Sequence, residues 1–222
     1  MRVLSLIAAA GALLGAAHAA PVAVANADFE ASQALTNSNA FYGEWENSAD
    51  SWDTEGKAGV WAPNFGNFFP STPAAVGDQI GFAAAGATMS QDLGITIGAG
   101  QSFTLSALIG DRSDKSFGGV FGFYAGDPSN IIASTALVSS GDGMWGLQEF
   151  SVLATALVGY VGQELGIFFS GTVGQVNFDG VSIVSDGDVI VNPLPGAVWL
   201  FGTALAGGVF AKRKKKSAIA AS

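Results

Sequence analysis

The stretch QSFTLSALIG, residues 101–110, alternates apolar and polar side chains along most of its length. Phe103, Leu105, Ala107 and Ile109 share one parity, while Ser and Thr take most positions of the other. Successive side chains of a strand point to opposite faces of the sheet. The pattern therefore predicts a half-buried β-strand rather than a helix.

Four other stretches favour the same kind of structure. Each is short and is bounded by Gly or Ser, which is typical of strands. No segment of the body has the pattern of an amphipathic helix. Short strands at this spacing predict an all-β sandwich. The four stretches are GVFGFYAG (119–126), LQEFSVLAT (147–155), QELGIFFSG (163–171) and GQVNFDGVSIV (174–184).

The alternation slips once in the last of these strands. Val176 and Phe178 share one parity, whereas Val181 and Ile183 share the other. The break falls at Asp179-Gly180, and a glycine inside a strand often marks a β-bulge. We therefore expect a bulge here, which could turn the Asp179 carboxylate to a new direction.

Charge is distributed very unevenly along the chain. All 18 acidic residues lie between Asp28 and Asp188, a span whose only basic residues are Lys57, Arg112 and Lys115. A body this acidic repels nucleic acid and anionic lipid and attracts cations, so no nucleic-acid partner is expected. The chain has no Cys, which excludes disulfides and thiol nucleophiles.

The first residues, MRVLSLIAAAGALLGAAHAA, have the features of a secretory signal. One Arg precedes an apolar run, and AHA supplies the small residues that a signal peptidase accepts. We expect a signal peptide over residues 1–19, cleaved after Ala19 or Ala20; a retained anchor helix is the alternative. The only histidine, His18, leaves with the signal, which argues against a zinc site or a Ser-His triad.

The opposite end carries an uncharged span from Leu194 to Ala211, followed by the basic run Lys212–Lys216. A helix over this span would be roughly 27 Å long, close to the roughly 30 Å hydrocarbon core of a bilayer. A basic run after such a helix stops transfer and stays cytoplasmic. We expect a C-terminal transmembrane helix with the body outside; a buried core helix with a solvated tail is the alternative.

The stretch PLPGAVWLFGTALAGGVFAKRKKK resembles the PEP-CTERM sorting signal of Gram-negative bacteria in order, spacing and position. That signal joins a short proline motif, here Pro193, Leu194 and Pro195, to a transmembrane helix and a basic tail. Leu194 stands where the namesake motif has Glu. The resemblance implies processing by a membrane exosortase and delivery to the cell surface or extracellular matrix. It also implies an association with exopolysaccharide and biofilm.

These features predict five parts of the chain. The signal peptide takes residues 1–19, and a β-sandwich domain takes residues 20–185. A linker over residues 186–192 leads to the sorting signal at 193–216, and residues 217–222 form the end of the cytoplasmic tail. The expected partners are therefore signal peptidase, an exosortase and, before processing, the inner membrane.

The order of motifs in the body resembles the galactose-binding-like jelly roll of many carbohydrate-binding modules. The resemblance covers most of the body, although each motif is short, and it implies a jelly-roll sandwich whose opening and closing motifs meet. The matching positions are Asn26, Phe29 and Glu30, a loop around Trp45 and Trp52, strands at Ser90–Leu93 and Ala99–Ala107, and Asn177, Phe178, Asp179 and Val181.

A structural calcium ion is the expected cofactor. Calcium needs only oxygen ligands, which an acidic body without His or Cys can supply. The resemblance nominates Asp28 and Glu30 from the opening motif, together with Asp179 from the closing one. The alternative is that Asp28 sits in a turn and Glu30 is solvated.

Aromatic residues crowd the segment from Phe41 to Phe69. Exposed aromatic faces stack on sugar rings, with polar neighbours fixing the orientation. Tyr42, Trp45, Trp52 and Trp61 are therefore candidates for carbohydrate binding. The alternative is that these aromatics pack a long loop against the ends of the sandwich.

Three functional hypotheses follow from the sequence. The first is a non-enzymatic, exported surface or matrix protein associated with exopolysaccharide. The second is a lectin-like module that holds the polysaccharide itself. The third is a glycoside-active enzyme that uses two of the many carboxylates, and no catalytic residue is nominated for it.

Overall fold

The computed structural model describes residues 19–31, 35–70, 77–187 and 190–191. Residues 1–18 of the expected signal peptide and the whole of 193–222 lie outside this part. The sorting motif and the C-terminal membrane span, which the sequence predicts there, therefore stay predictions. Within the described part, no helix is long and apolar enough to cross a membrane.

Most of the described chain is β-strand, and its two α-helices have four residues each. A single turn of 3₁₀ helix, Val158–Tyr160, follows the second of them. The elements are β1 Ala19–Val22, β2 Asn37–Asn39, β3 Gly43–Glu46, β4 Asp53–Glu55, β5 Ala58–Pro63, α1 Phe65–Phe68, β6 Ile80–Ala84, β7 Thr88–Thr96, β8 Ser102–Asp111, β9 Phe117–Ala125, β10 Asp127–Ala136, β11 Met144–Val152, α2 Ala154–Leu157, β12 Glu164–Asp186 and β13 Ile190–Val191.

Two antiparallel sheets share the long strand β12 and pack face to face. In the first sheet the strand order is β11-β8-β12-β6-β5-β3-β2, and β1 also pairs with the end of β12. In the second sheet the order is β10-β9-β12-β7, with β4 and β13 along the free edge of β7. The first half of β12 thus belongs to the second sheet and its second half to the first. This confirms the all-β sandwich.

The expected bulge in β12 is present. The register of β12 against β8 shifts between Asp179 and Ser182, and Gly180 has a φ of +55°. Only glycine adopts that conformation without strain. Because of the shift, Phe178 before the bulge and Val181 after it both point into the interior.

The main core lies between the two sheets. It is built from aliphatic and Phe side chains, and Phe178 stacks on Phe169 with ring centroids 4.3 Å apart. The alternating residues predicted from 101–110 all face this core: Phe103, Leu105, Ala107 and Ile109 are at most 1% exposed. The strand predicted there is confirmed as β8.

The structure differs from the sequence prediction in two places. The segments 163–171 and 174–184, expected as two strands, form the single strand β12 of 23 residues. The aromatic segment after Phe41, expected as a loop, contains β3, β4 and β5. Strands β5 and β6 are apolar on both faces, so no alternation marks them in the sequence.

Candidate functional site

The outer face of the first sheet carries a second apolar cluster, separate from the main core. Along β5 the side chains alternate, so that Val60 joins the main core while Trp61 points outward. We call the outward group the aromatic stack, after the rings that make up most of it. Its buried members are Trp61, Phe68, Phe69, Ile80, Phe82 and Trp145.

Short α1 covers part of this outer face. Phe68, at its end, is fully buried and lies 5.2 Å from the ring of Trp61. Tyr42 stacks on the other side of Phe68 at 5.6 Å, with the two ring planes only 6° apart. Trp145 packs directly over the backbone of Gly110, where an added Cβ would lie 2.7 Å from the indole. The aromatic rings are therefore held in a fixed stack.

Arg112 sits within this stack and is only 4% exposed. Its guanidinium carbon lies 4.6 Å from the ring centres of both Trp61 and Phe68, within the range of a cation–π contact. Its Nε and Nη2 donate to the two carboxylate oxygens of Asp114, each at 2.8 Å. This bidentate pair neutralises a cation that would otherwise be buried alone.

A chain of amides continues from Arg112 across the sheet. Nη1 of Arg112 donates to Oε1 of Gln175 at 2.9 Å, and Nε2 of Gln175 donates to Oδ1 of Asn177 at 2.8 Å. Asn177, which is fully buried, donates in turn to the carbonyl of Gly110 at 3.2 Å. These bonds link β8 to β12 and fix the direction of the guanidinium.

A cavity of about 370 Å³ opens beside the stack. Four of its lining residues are aromatic, and the charged ones are all cationic. Among the residues that the structure describes, no acidic side chain lines it. The lining residues are Asn39, Tyr42, Trp45, Lys57, Trp61, Phe82, Arg112, Lys115 and Gln175.

The chemistry of this lining is specific. Aromatic faces stabilise flat apolar groups and positive charge that develops beside them. The positive charges of Lys57 and Lys115 favour a negatively charged group placed beside them. The volume falls within the range of small-molecule sites, and a few polar groups converge among apolar walls.

The structure brings together three of the four aromatics predicted to bind sugar. Tyr42, Trp45 and Trp61 all line the cavity. Trp52 does not, because it is buried in the main core against Phe29 at 5.4 Å. Its indole N–H donates to the carbonyl of Asn26, which satisfies the one polar atom of this buried ring.

The residues predicted to bind calcium already have other contacts. Glu30 accepts hydrogen bonds from the backbone of Asp78 at 2.7 Å and of Gln79 at 2.6 Å. Asp28 accepts one from the Glu30 backbone, and buried Asp179 accepts one from Gly180. In the part of the chain that the structure describes, no group of three or more acidic, His or Cys residues is arranged to hold a metal ion. Calcium binding stays a prediction.

Two further titratable groups are buried away from the cavity lining. Burial raises the pKa of Tyr124 well above its usual value, and its hydroxyl donates to Asp92 at 2.8 Å. Burial also raises the pKa of Asp111, against the opposing effect of a hydrogen bond from Ser139. Both groups hold strands and turns together, and neither faces the cavity.

Comparison with protein families identifies the chain. Residues 20–184 match the model of a family described as HpiC1-like, HpiC1 cyclase. The chain belongs to the HpiC1-like family. Among curated proteins, none matches the sequence significantly.

Solved structures of cyclases share the fold. The apo form of a cyclase from Fischerella sp. superposes with a TM-score of 0.61 at 20% identity, covering 78% of this chain and 100% of that one. The Stig cyclase Fisc from Fischerella sp. TAU, in complex with (3Z)-3-(1-methyl-2-pyrrolidinylidene)-3H-indole, gives 0.62 at 18%, covering 76% and 98%. A cyclase from the same organism, in complex with 4-(1H-indol-3-yl)butan-2-one, gives 0.59 at 19%, covering 75% and 97%.

Carbohydrate-binding modules are also among the structural neighbours. The CBM22-1 xylan-binding domain from Paenibacillus barcinonensis Xyn10C has a TM-score of 0.41 at 12% identity, covering 64% of this chain and 90% of that one. A likeness this low supports no argument about function. The galactose-binding-like resemblance therefore extends to the β-sandwich and no further.

Family membership corrects the functional hypotheses. The HpiC1-like family is named for a cyclase, which is an enzyme, so the expectation of a non-enzymatic matrix protein is wrong. The lectin-like and glycoside-active alternatives fall with it. The sequence pattern indicates the aromatic residues of the cavity but does not mark Arg112, Lys57 and Lys115 as residues of the same site. The one available signal was that these are the only basic residues of the acidic body.

Proposed function

We propose that this protein is an enzyme of the cyclase type, with its active site in the cavity on the outer face of the first sheet. The observation that carries the proposal is an aromatic-walled cavity of about 370 Å³ in a chain of the HpiC1-like family. The outer face of an antiparallel sheet in a sandwich is commonly polar and solvated. Here it carries a cluster of aromatic rings beside an open space with polar lining residues.

The walls suit a ring-closing reaction. Ring closure requires a flexible molecule to hold its two reacting ends close together, and a rigid pocket supplies that geometry. The stacking of Tyr42 on Phe68 keeps the walls rigid, and so do the hydrogen bonds of Arg112 to Asp114 and Gln175. Trp45 offers a half-buried ring face on which a flat, unsaturated substrate ring can stack.

The substrate class follows from the shape of the walls and from the ligands of the neighbours. Two Fischerella cyclases are described with indole compounds bound. A flat, unsaturated ring system stacks well on Trp45 and Tyr42, which line the cavity as half-buried and exposed rings. We therefore assign the substrate to small molecules with an indole-like ring and an unsaturated side chain.

The proposal is tested by incubating the purified full chain with a panel of 3-alkenyl and 3-acyl indoles. Ring closure by rearrangement gives an isomer, so the product has unchanged mass and a shifted retention time in liquid chromatography with mass detection. We expect at least one panel member to be converted. Full recovery of every member, with no binding to the protein, would overturn the proposal.

Two variants test whether the reaction takes place in the cavity. Trp45→Ala removes a cavity wall and should reduce conversion at least about tenfold, the effect of losing roughly 1.4 kcal/mol of transition-state stabilisation. Leu153→Ala is the matched control, because Leu153 is 63% exposed and does not line the cavity. Equal losses in both variants would place the reaction elsewhere.

Export is a separate proposal that rests on the two ends of the sequence. We propose that the enzyme acts outside the cytoplasm after signal peptidase and an exosortase have processed it. The intact mass of the extracellular form tests both steps at once, with ends expected at Ala20 or Pro21 and near Pro193-Leu194-Pro195. Recovery of the body in the cytoplasm with Met1 retained would contradict it.

A further inference from the structure

We infer that the cavity recognises an organic anion, a flat unsaturated ring that carries a carboxylate or a similar acidic group. The inference deepens the proposed function and rests on it for the position of the active site. It comes from where the positive charges of the body lie.

All the basic residues in the described ranges meet at one place. Lys57 lies in the turn between β4 and β5, and Arg112 and Lys115 follow β8. Although far apart in sequence, all three line the cavity. The acidic residues that the structure describes are spread over the rest of the body, and none of them lines the cavity. The fold therefore concentrates its positive charge at a single opening.

The three cations do different work. Arg112 is committed to Asp114 and to Gln175, and its charge is balanced within the protein. Lys57 and Lys115 are exposed at the cavity. Neither ammonium forms an ion pair or hydrogen bond with a residue that the structure describes. Two uncompensated positive charges at one cavity favour a ligand that brings negative charge.

The aromatic lining indicates that the uncharged part of the ligand is a flat ring. Trp45, Trp61 and Phe82 line the cavity together with the two lysines and Arg112. An inorganic anion would leave these faces unused, whereas an aromatic acid places its ring on them and its charge beside the ammonium groups. The acidic surroundings would repel the same anion from the rest of the surface, which directs it to this opening.

A matched pair of probes tests the inference. One is 4-(1H-indol-3-yl)butan-2-one, and the other is 3-(1H-indol-3-yl)propanoate, which has the same number of non-hydrogen atoms and a carboxylate in place of the methyl ketone. Calorimetric titration of the full chain at low salt should show the acid binding about tenfold more tightly, as two partly exposed charge contacts allow. Added salt should shrink the difference. Equal affinities at low salt would overturn the inference.

Variants identify the groups responsible. In the double variant Lys57→Gln and Lys115→Gln, the preference for the acid should disappear. It should survive in Lys57→Arg with Lys115→Arg, which keeps both charges. A second control, Leu153→Glu with Val158→Glu, makes the same change in net charge at exposed positions outside the cavity lining and should also keep the preference. A preference that survives the Gln variant would overturn the inference.

The outcomes separate this inference from the proposed function. Tight acid binding without conversion of any indole would support the anion site and count against the cyclase. Conversion of neutral indoles without preference for the acid would support the cyclase and count against the anion site. Failure of both probes to bind would overturn the cavity as a site for indole-like ligands of either charge.

Discussion

The two faces of the first sheet use the same strands for different purposes. On the inner face, side chains such as Val60 and Ile109 pack against the second sheet in a closed core. On the outer face, their neighbour Trp61 belongs to an aromatic stack with a buried cation and an open cavity, and Gly110 leaves room for the Trp145 ring of the same stack. Adjacent residues of one strand thus serve stability and recognition.

The difference between the two faces shows which side of a β-sandwich sheet can carry a binding site. The inner face cannot hold polar groups without partners, because water does not reach it. The outer face tolerates Arg112 only because Asp114, Gln175 and the aromatic rings surround it. Changes on the inner face should therefore affect stability, whereas changes at solvent-accessible residues of the cavity, such as Trp45, should affect mainly binding.

The largest effect is expected from Phe178→Ala on the inner face. Phe178 is fully buried and stacked 4.3 Å from Phe169, and truncating such a ring costs about 4 kcal/mol of unfolding free energy. Urea unfolding followed by near-ultraviolet circular dichroism measures it. A loss below about 1 kcal/mol would show that the inner face is not the main source of stability.

Arg112→Ala should cost about 2 kcal/mol, because it removes a buried guanidinium from between the aromatic rings and leaves Gln175 without its donor, while the partly exposed Asp114 carboxylate can be hydrated. Arg112→Lys should also destabilise the fold, since an ammonium cannot form the bidentate pair. The matched control is Lys115→Ala, an exposed change expected within about 0.5 kcal/mol of wild type. Equal unfolding midpoints for Arg112→Ala and Lys115→Ala would contradict this role.

Gly110→Ala tests the close packing on the outer face. The new Cβ would lie 2.7 Å from the Trp145 indole, and overpacking of this kind costs about 2 kcal/mol. Gly159→Ala is the control, because nothing lies within 4 Å of the Cβ added there. Thermal unfolding of both variants should separate them clearly. If Gly110→Ala left the unfolding temperature unchanged, the Trp145 ring would be able to move aside at little cost.

Trp45→Leu should separate binding from stability. Trp45 is half-buried at the cavity, so an apolar replacement should cost no more than about 1 kcal/mol of stability. Affinity for the indole probes should fall at least about tenfold, since stacking on the ring is lost. Stability lost without a change in affinity would reverse the assignment of the outer face.

The smallest effect concerns Asp111, the last residue of β8. Burial raises its pKa, helped by the nearby Asp142 carboxylate and opposed by the Ser139 hydroxyl, so the folded state disfavours the charged form. Below the unfolded value near 3.9 there is no penalty; the penalty grows as the pH rises through the raised pKa. Asp111→Asn should therefore stabilise the fold by at most about 0.5 kcal/mol at pH 7, because the Ser139 hydroxyl already offsets part of the cost of burying the carboxylate. Stability measured at pH 3 and pH 7 checks this, and an equal effect at both would contradict it.

The sequence predicts the inner face better than the outer one. In β8 the polar residues between Phe103 and Ala107 make the alternation visible, and the parity change at Asp179 reveals the bulge. In β5 both faces are apolar, so Val60 and Trp61 show no alternation.

The site is harder to predict because its parts are distant in sequence. Lys57 and Lys115 meet Arg112 only through the pairing of β5, β6, β12 and β8. No local sequence motif predicts that these three basic residues lie at one site. Trp52 was expected at the site because it lies in the aromatic segment, but its direction depends on a long-range contact with Phe29.

The most direct test of the different roles of the two faces is a crystal structure of the full chain with 3-(1H-indol-3-yl)propanoate. We expect the indole against Trp45 in the cavity, the carboxylate within hydrogen-bonding distance of Lys57 or Lys115, and an unchanged inner face. A probe bound elsewhere at saturating concentration, with the cavity empty, would contradict it.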